Sequence, residues 1–285
     1  MSSRGLVNTS LDYMQSTHNA FRIDTVYGFF GELMLRTGEL ESAVAYYIKA
    51  LEHAEENNKF SNASSHHLRL GEVLNRLGRR DEALSHISIT LDFARKNSDK
   101  RMECIASGEI GKILLDKGEY EGAYNAFAQA LNLAKLLGDT LLESEFRGAI
   151  GQYYLRITKP FDAIYFLERA LEIAQDLENQ NSEAAWLGAI GQANLMIGQT
   201  DKAHANLERA IKIASTIKDW VRLSELHNTL GLLYLRMKEY SFAESEFLKS
   251  KEFGAKMNME DMVKIADENI LATQNARTKF AKESY

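Results

Sequence analysis

The sequence predicts an all-α fold, a right-handed superhelical solenoid of six antiparallel two-helix repeats with a half-repeat helix at each end. Three observations predict it. A skeleton of small residues returns every 40 positions without a gap. Gly31, Gly71, Gly111, Gly151, Gly191 and Gly231 hold one phase; Ala43, Ala83, Ala123, Ala163, Ala203 and Ala243 hold another, twelve residues later. A fixed period of that size marks stacked units that bury their faces against one another. The chain of 285 residues has one proline, which leaves helices uninterrupted. Its apolar residues recur at three and four positions, as in Tyr27, Phe30, Gly31 and Met34, the stripe of a helix with one buried face.

Residues 1–20 read as half a repeat. On the 40-residue frame Leu11 falls in the phase of Leu51, Val7 in that of Tyr47 and Met14 in that of Ala54. A helix over about 4–18 would therefore cover the stacking face of the first full unit. The six repeats follow as 21–60, 61–100, 101–140, 141–180, 181–220 and 221–260. In each, helix A ends at a glycine able to turn left-handed (Gly38, Gly78, Gly118, Gly198), except where Thr158 and Lys238 predict strained or differently shaped turns.

Helix B starts at an acidic or polar residue, Glu41, Asp81, Glu121, Asp201 or Ser241, with Pro160 at a first-turn position in the fourth copy. Asp99, Asp139, Asn179 and Asp219 are placed to cap the helix A that follows. The glycine phase on helix A is expected to face the alanine phase on helix B, so that the two axes approach closely. A last helix A begins after Glu260 and runs to about Ala276, so 261–285 reads as a capping helix and frayed tail.

These residues resemble the tetratricopeptide repeat. Copy one carries the pattern as Tyr27, Phe30-Gly31, Met34, Gly38, Ala43, Tyr47 and Ala50, and copy six as His227, Leu230-Gly231, Tyr234, Lys238, Ala243, Phe247 and Ser250. The 40-residue period is similar to the repeats of spindle-orientation adaptors, kinesin light chains, bacterial peptide-pheromone receptors and bacterial regulator sensor domains. The resemblance implies a protein-binding scaffold whose A helices line a concave groove.

Composition and motifs point away from other classes. A net charge of −6 argues against a nucleic-acid or anionic-membrane footprint. Cys104 is the single cysteine, so no intrachain disulfide forms, and a buried thiol in a reducing compartment is expected. The N-terminus lacks the apolar run of a signal peptide and no stretch of 18 apolar residues occurs, so the expected location is the cytoplasm. The seven histidines, His18, His53, His66, His67, His86, His204 and His227, are scattered among the copies, and the adjacent His66 and His67 point about 100° apart. No metal, phosphate or nucleophile motif is present. We therefore expect no enzyme, no catalytic residue, no cofactor and no metal.

Four columns on the outward face of helix A are the candidate groove. Gly28, Leu68, Gly108, Gly148, Gly188 and Asn228 form the first, which reads either as close packing of neighbouring A helices or as a deepened groove floor. Leu35, Asn75, Leu115, Leu155, Leu195 and Leu235 form the second, either packing or an apolar strip for an amphipathic helix. The third, Arg36, Arg76, Asp116, Arg156, Met196 and Arg236, places cations in the last helical turn, where they meet the dipole or form a ladder for acidic groups. The fourth drifts from acidic to apolar through Glu32, Glu72, Lys112, Gln152, Gln192 and Leu232, which suggests an extended, oriented ligand.

The chaperone-tail binders of this family carry Asn and Lys where this chain has Gly28, Glu32 and Leu68, so a chaperone C-terminus is not the expected ligand. Of the asparagine ladder of the spindle-orientation and kinesin-type repeats only Asn75 and Asn228 stand here. The expected function is non-catalytic binding of a partner's peptide or amphipathic helix in the groove, with the arginine column suited to acidic groups on it. A ligand- or peptide-sensing regulatory module is the alternative. A third reading is end-to-end self-association through Val7 and Met14 at one end and Met262, Ile265 and Leu271 at the other.

Overall fold

The computed structural model describes residues 23–283, so the expected helix within residues 1–20 lies outside the described residues. Thirteen helices and no strands make up what is described. The chain divides into two compact units, one ending at Leu137 and one beginning at Gly138. The first unit holds α1 (Ile23–Arg36), α2 (Leu40–Glu56), α3 (Phe60–Arg76), α4 (Arg80–Lys96), α5 (Lys100–Lys117) and α6 (Tyr120–Leu137). The second holds α7 (Thr140–Arg156), α8 (Pro160–Asp176), α9 (Gln180–Met196), α10 (Thr200–Ile217), α11 (Trp220–Arg236), α12 (Tyr240–Lys256) and α13 (Glu260–Glu283). Odd-numbered helices are the A helices of the repeat, even-numbered ones the B helices; each A from α1 to α11 packs on its own B, and α13 packs on α12.

The glycine phase explains that pairing. A Cβ on Gly111 would lie 2.6 Å from the ring of Phe127, and one on Gly231 would lie 2.6 Å from that of Phe247. Gly31 meets Tyr47, Gly71 meets Ile87, and Gly151 and Gly191 meet Leu167 and Leu207. The glycine thus faces the large side chain sixteen residues on, a correction to the expected glycine-on-alanine contact. The alanine phase contributes its backbone: Ala163 O and Ala203 O stand 3.4 Å from the Cβ positions of Gly151 and Gly191. Ala43, Ala83, Ala123, Ala163, Ala203 and Ala243 are all fully buried, as are Phe127, Leu167, Leu207 and Phe247.

Every turn between helices is built alike. A left-handed residue stands every twenty positions from 38 to 258, as Gly38, Asn58, Gly78, Ser98, Gly118, Gly138, Thr158, Glu178, Gly198, Lys218, Lys238 and Asn258. At the turns from Gly38 to Gly118 and from Thr158 to Asn258, the next residue donates its backbone N–H to the carbonyl five back, as in Glu119 to Leu114 at 2.8 Å, which satisfies a carbonyl of the helix end. Thr158 and Lys238, at φ 57° and 61°, keep this turn rather than adopting a different one.

Asp99, Asp139, Asn179 and Asp219 accept from the backbone N–H three residues on and cap the A helices as their chemistry predicts. The B helices differ from expectation. They start one residue early, at Leu40 or its equivalents, and the preceding Glu39, Arg79, Lys159, Gln199 and Glu239 make no side-chain cap bond. Their acidic residues serve only the first turn, where a negative charge meets the helix dipole.

The expected frayed tail is instead helix as far as Glu283. Phe280 holds it, 5.9 Å from the Tyr240 ring and under the ammonium of Lys238 at 5.6 Å. No described helix is long and apolar enough to cross a membrane.

Candidate functional site

The columns on the A helices resolve differently. In the glycine column, a Cβ on Gly28 would lie 2.9 Å from His66 Cε1, and one on Gly188 would lie 2.6 Å from Leu226 Cδ2. Gly148 is pressed by the Trp186 ring. In these three cases the missing side chain is replaced by one from the next A helix, so the column is packing. Asn228, in the same column, accepts from Asn269 at 2.8 Å.

The leucines are also taken up. Leu155 is buried, and Leu35, Leu115, Leu195 and Leu235 are half-buried, so no exposed apolar strip runs along this column. Asn75 donates to Asp116 at 3.2 Å. The four arginines of the third column are exposed. Arg36 bonds Glu32 through Nε at 2.9 Å, and Arg236 donates to the carbonyl of Leu195 at the end of the preceding A helix, which also accepts the Gly198 N–H at 3.1 Å. Arg76 and Arg156 reach the surface at the equivalent turns.

The fourth column is where the surface opens. In the first unit a cavity of about 430 Å³ lies between α1 and α3, with Gly28 and the Tyr47 hydroxyl at its floor and Phe29 exposed at its mouth. Its polar wall is a charge network. Glu32 receives Arg36 and, at 3.3 Å, the Tyr47 hydroxyl, while Arg69 bonds Glu72 at 2.8 Å. On α5, Lys112 bonds Glu109 at 2.6 Å. The hydrogen bond from Arg36 holds the Glu32 carboxyl below the usual carboxylate range, against its desolvation. Burial, and then the neighbouring Glu109, push Glu72 up despite its bond to Arg69.

In the second unit a smaller cavity, about 110 Å³, lies among α7, α9 and α11. Gln152, Gln192, Thr229, Arg222 and Glu225 line it together with the small Gly188 and Ala185. Sequence reasoning found Gln152 and Gln192 because they share a phase. It missed Arg69, Arg222, Glu225 and Thr229, since their positions do not repeat in kind. A larger hollow, about 500 Å³, lies beside α13 at Met259, Lys264 and Asp267, where Lys251 pairs with Asp267 at 2.7 Å.

The histidines at 67, 86 and 227 are structural partners. His67 and His86 share one proton between Nδ1 atoms 2.8 Å apart, and His227 meets Glu246 at 2.6 Å. Among the described residues no group of three or more His, Cys, Asp or Glu side chains is placed to hold a metal ion. Cys104 is buried with its thiol on the carbonyl of Ala130 at 3.1 Å.

Comparison with known proteins places this geometry in a family. The model described as "Tetratricopeptide repeat" matches residues 101–176 and 142–216. Residues 101–216 are tetratricopeptide repeats. The same fold extends over most of the chain. A Rap protein complexed with Competence and Sporulation Factor has a TM-score of 0.68 at 16% identity, over 90% of this chain and 76% of that one. The Rap conjugation gene regulator of the plasmid pLS20, in complex with the Phr* peptide, also has 0.68, at 15% identity over 92% and 77%. Aspartyl phosphate phosphatase F from Bacillus subtilis has 0.67 at 16% identity, over 94% and 74%. At these identities the likeness is one of fold. No curated protein matches the sequence. On this fold the A-helix faces carry polar side chains that line open cavities.

Proposed function

We propose that the chain is a non-catalytic interaction scaffold holding an extended peptide segment of a partner against its A-helix faces. The observation that carries this reading is the pair of polar cavities on those faces, lined by Glu32 and Arg36 in one unit and by Gln152 and Gln192 in the other. Primary amides donate and accept at once, which suits the alternating N–H and C=O groups of a peptide backbone. Two proteins of similar fold are described with ligands, one of them the Phr* peptide.

A second reading, a peptide-sensing regulatory module, draws on that likeness and requires only that the bound segment alter how the repeats stack. The single buried thiol suits a reducing, cytoplasmic setting.

A heptapeptide library displayed on phage tests the binding face. Gln192→Trp fills the second cavity from an exposed position, whereas Glu168→Trp adds the same bulk on exposed α8. We expect the first to lose the peptides that wild type selects and the second to keep them. Selection of nothing by wild type, or loss only with Glu168→Trp, would end the reading.

A further inference from the structure

The carboxylates facing the first unit's A-helix surface are paired: Glu32 with Arg36, Glu72 with Arg69, Glu109 with Lys112. Glu225, in the second unit's cavity, is different. Among the described residues no Lys, Arg or His nitrogen lies within 4.0 Å of its carboxylate, and no donor is hydrogen-bonded to it. The nearest cation in the cavity wall is Arg222, one turn earlier on α11. It is already committed, with Nε on Asp219 Oδ2 at 3.0 Å while Asp219 Oδ1 caps the Arg222 backbone N–H at 3.0 Å.

Glu225 is exposed to solvent yet set in a concave wall, and the protein around it replaces part of its hydration. That desolvation, with Asp219 adding to it and Arg222 opposing it, raises its carboxyl above the ordinary range. A carboxylate in such a place, partly desolvated and without an internal partner, is open to a cation from outside.

The surroundings say which cation fits. Gln152 and Gln192 line the same cavity, and their amide oxygens are acceptors without an internal donor. A carboxylate and two amide oxygens match the three divergent N–H donors of an ammonium group, whereas a guanidinium, which can fork onto the carboxylate, holds its donors in one plane and does not converge on three separate acceptors. A hollow of about 110 Å³ admits such a head group on its alkyl stem and no large ring.

We propose that this cavity is a subsite for a primary ammonium group of the bound peptide, with Glu225 as counter-ion and Gln152 and Gln192 as the remaining acceptors. The ammonium is a lysine side chain or a free peptide N-terminus. The inference rests on the peptide-binding reading above and adds the charge of what is bound.

The test uses hexapeptide libraries immobilised through their C-termini, one with free and one with acetylated N-termini. Each is selected with the full chain, wild type and Glu225→Gln. Wild type is expected to enrich lysine at one position of the acetylated library, or to select only from the free one, and these outcomes separate the two sources. Glu225→Gln is expected to lose that preference, with affinity for a selected peptide reduced about tenfold or more. It removes an unpaired charge, so its helicity and midpoint of unfolding should match or exceed wild type. Peptides enriched without lysine or free amine, enrichment of arginine alone, or a preference that survives Glu225→Gln each overturn the subsite and leave the groove reading standing. Selection of no peptide overturns both.

Discussion

Thr158 stands at φ 57° where four of the other five A-to-B turns carry glycine. An L-residue in the left-handed region costs about 1–2 kcal/mol, and a β-branched one is least suited to it. The surrounding hydrogen bonds hold it there regardless: Lys159 N–H reaches Tyr154 O at 2.8 Å, as in every sister turn. Thr158→Gly should therefore stabilise the chain, by about 0.5–1 kcal/mol after the greater freedom of glycine in the unfolded state is subtracted. A higher urea midpoint with an unchanged slope is the expected reading. An unchanged or lower midpoint would mean that the threonine is not strained. Residue identity at this turn is readable from the sequence, but the persistence of its shape is not. The turn is dictated by helix-end carbonyls that need donors, whichever side chain occupies it.

At the scale of elements, the repeat phase is what the sequence states most clearly. Helix ends, the capping carboxylates and the first-turn proline all follow from it, because each is a local demand repeated at fixed spacing. Less legible was whatever breaks the phase. Glu225 shares its position with Thr25, Ser65, Ile105, Glu145 and Ala185, a column with no common chemistry, so only the folded surroundings distinguish it.

The terminal helix breaks the phase in another way. Leu271 of α13 occupies the glycine position, where a following B helix would need to approach closely, and α13 instead ends the series of pairs. Its far end is held by side chains that no repeat pattern announces, Phe280 against Tyr240 and Lys238. An aromatic pair and a partly exposed cation–π contact are each worth about 0.5–1 kcal/mol. Phe280→Ala should thus lower the unfolding free energy by roughly 1 kcal/mol and raise amide exchange over residues 272–283. Exchange at the wild-type rate there would show that Phe280 does not hold the helix.

Across the whole molecule, one pair of positions is used twice with opposite acid–base character. His67 and His86 face each other in the first unit; the residues 160 positions later, His227 and Glu246, face each other in the second. Burial, then His86 and His66, bring His67 down to about 4, and burial likewise lowers His86. The other charged groups near this pair are Glu55, 3.7 Å from His67 Nε2, and Glu82, which is tied to Arg79; His66 lies beside Asp24.

A histidine whose folded pKa is depressed binds its proton more readily when unfolded. The stability it permits is therefore full above about pH 6.5 and falls as the pH drops from there towards 4. The Glu246 carboxyl is lowered instead, its hydrogen bonds to His227 and Lys249 outweighing desolvation, so its contribution is lost only below the ordinary carboxylate range. Acid should therefore weaken the first unit at a higher pH than the second. The two tryptophans, Trp186 and Trp220, lie in the second unit and report it alone. On titration from pH 7 to 4, far-ultraviolet helicity in moderate urea is expected to fall before tryptophan emission changes. His86→Glu gives the first unit the pair that the second already has. The carboxylate then favours the charged form of His67, and the early loss of helicity should move to lower pH. If the variant still loses helicity between pH 6.5 and 4, the His67–His86 contact is not the acid-labile element of that unit.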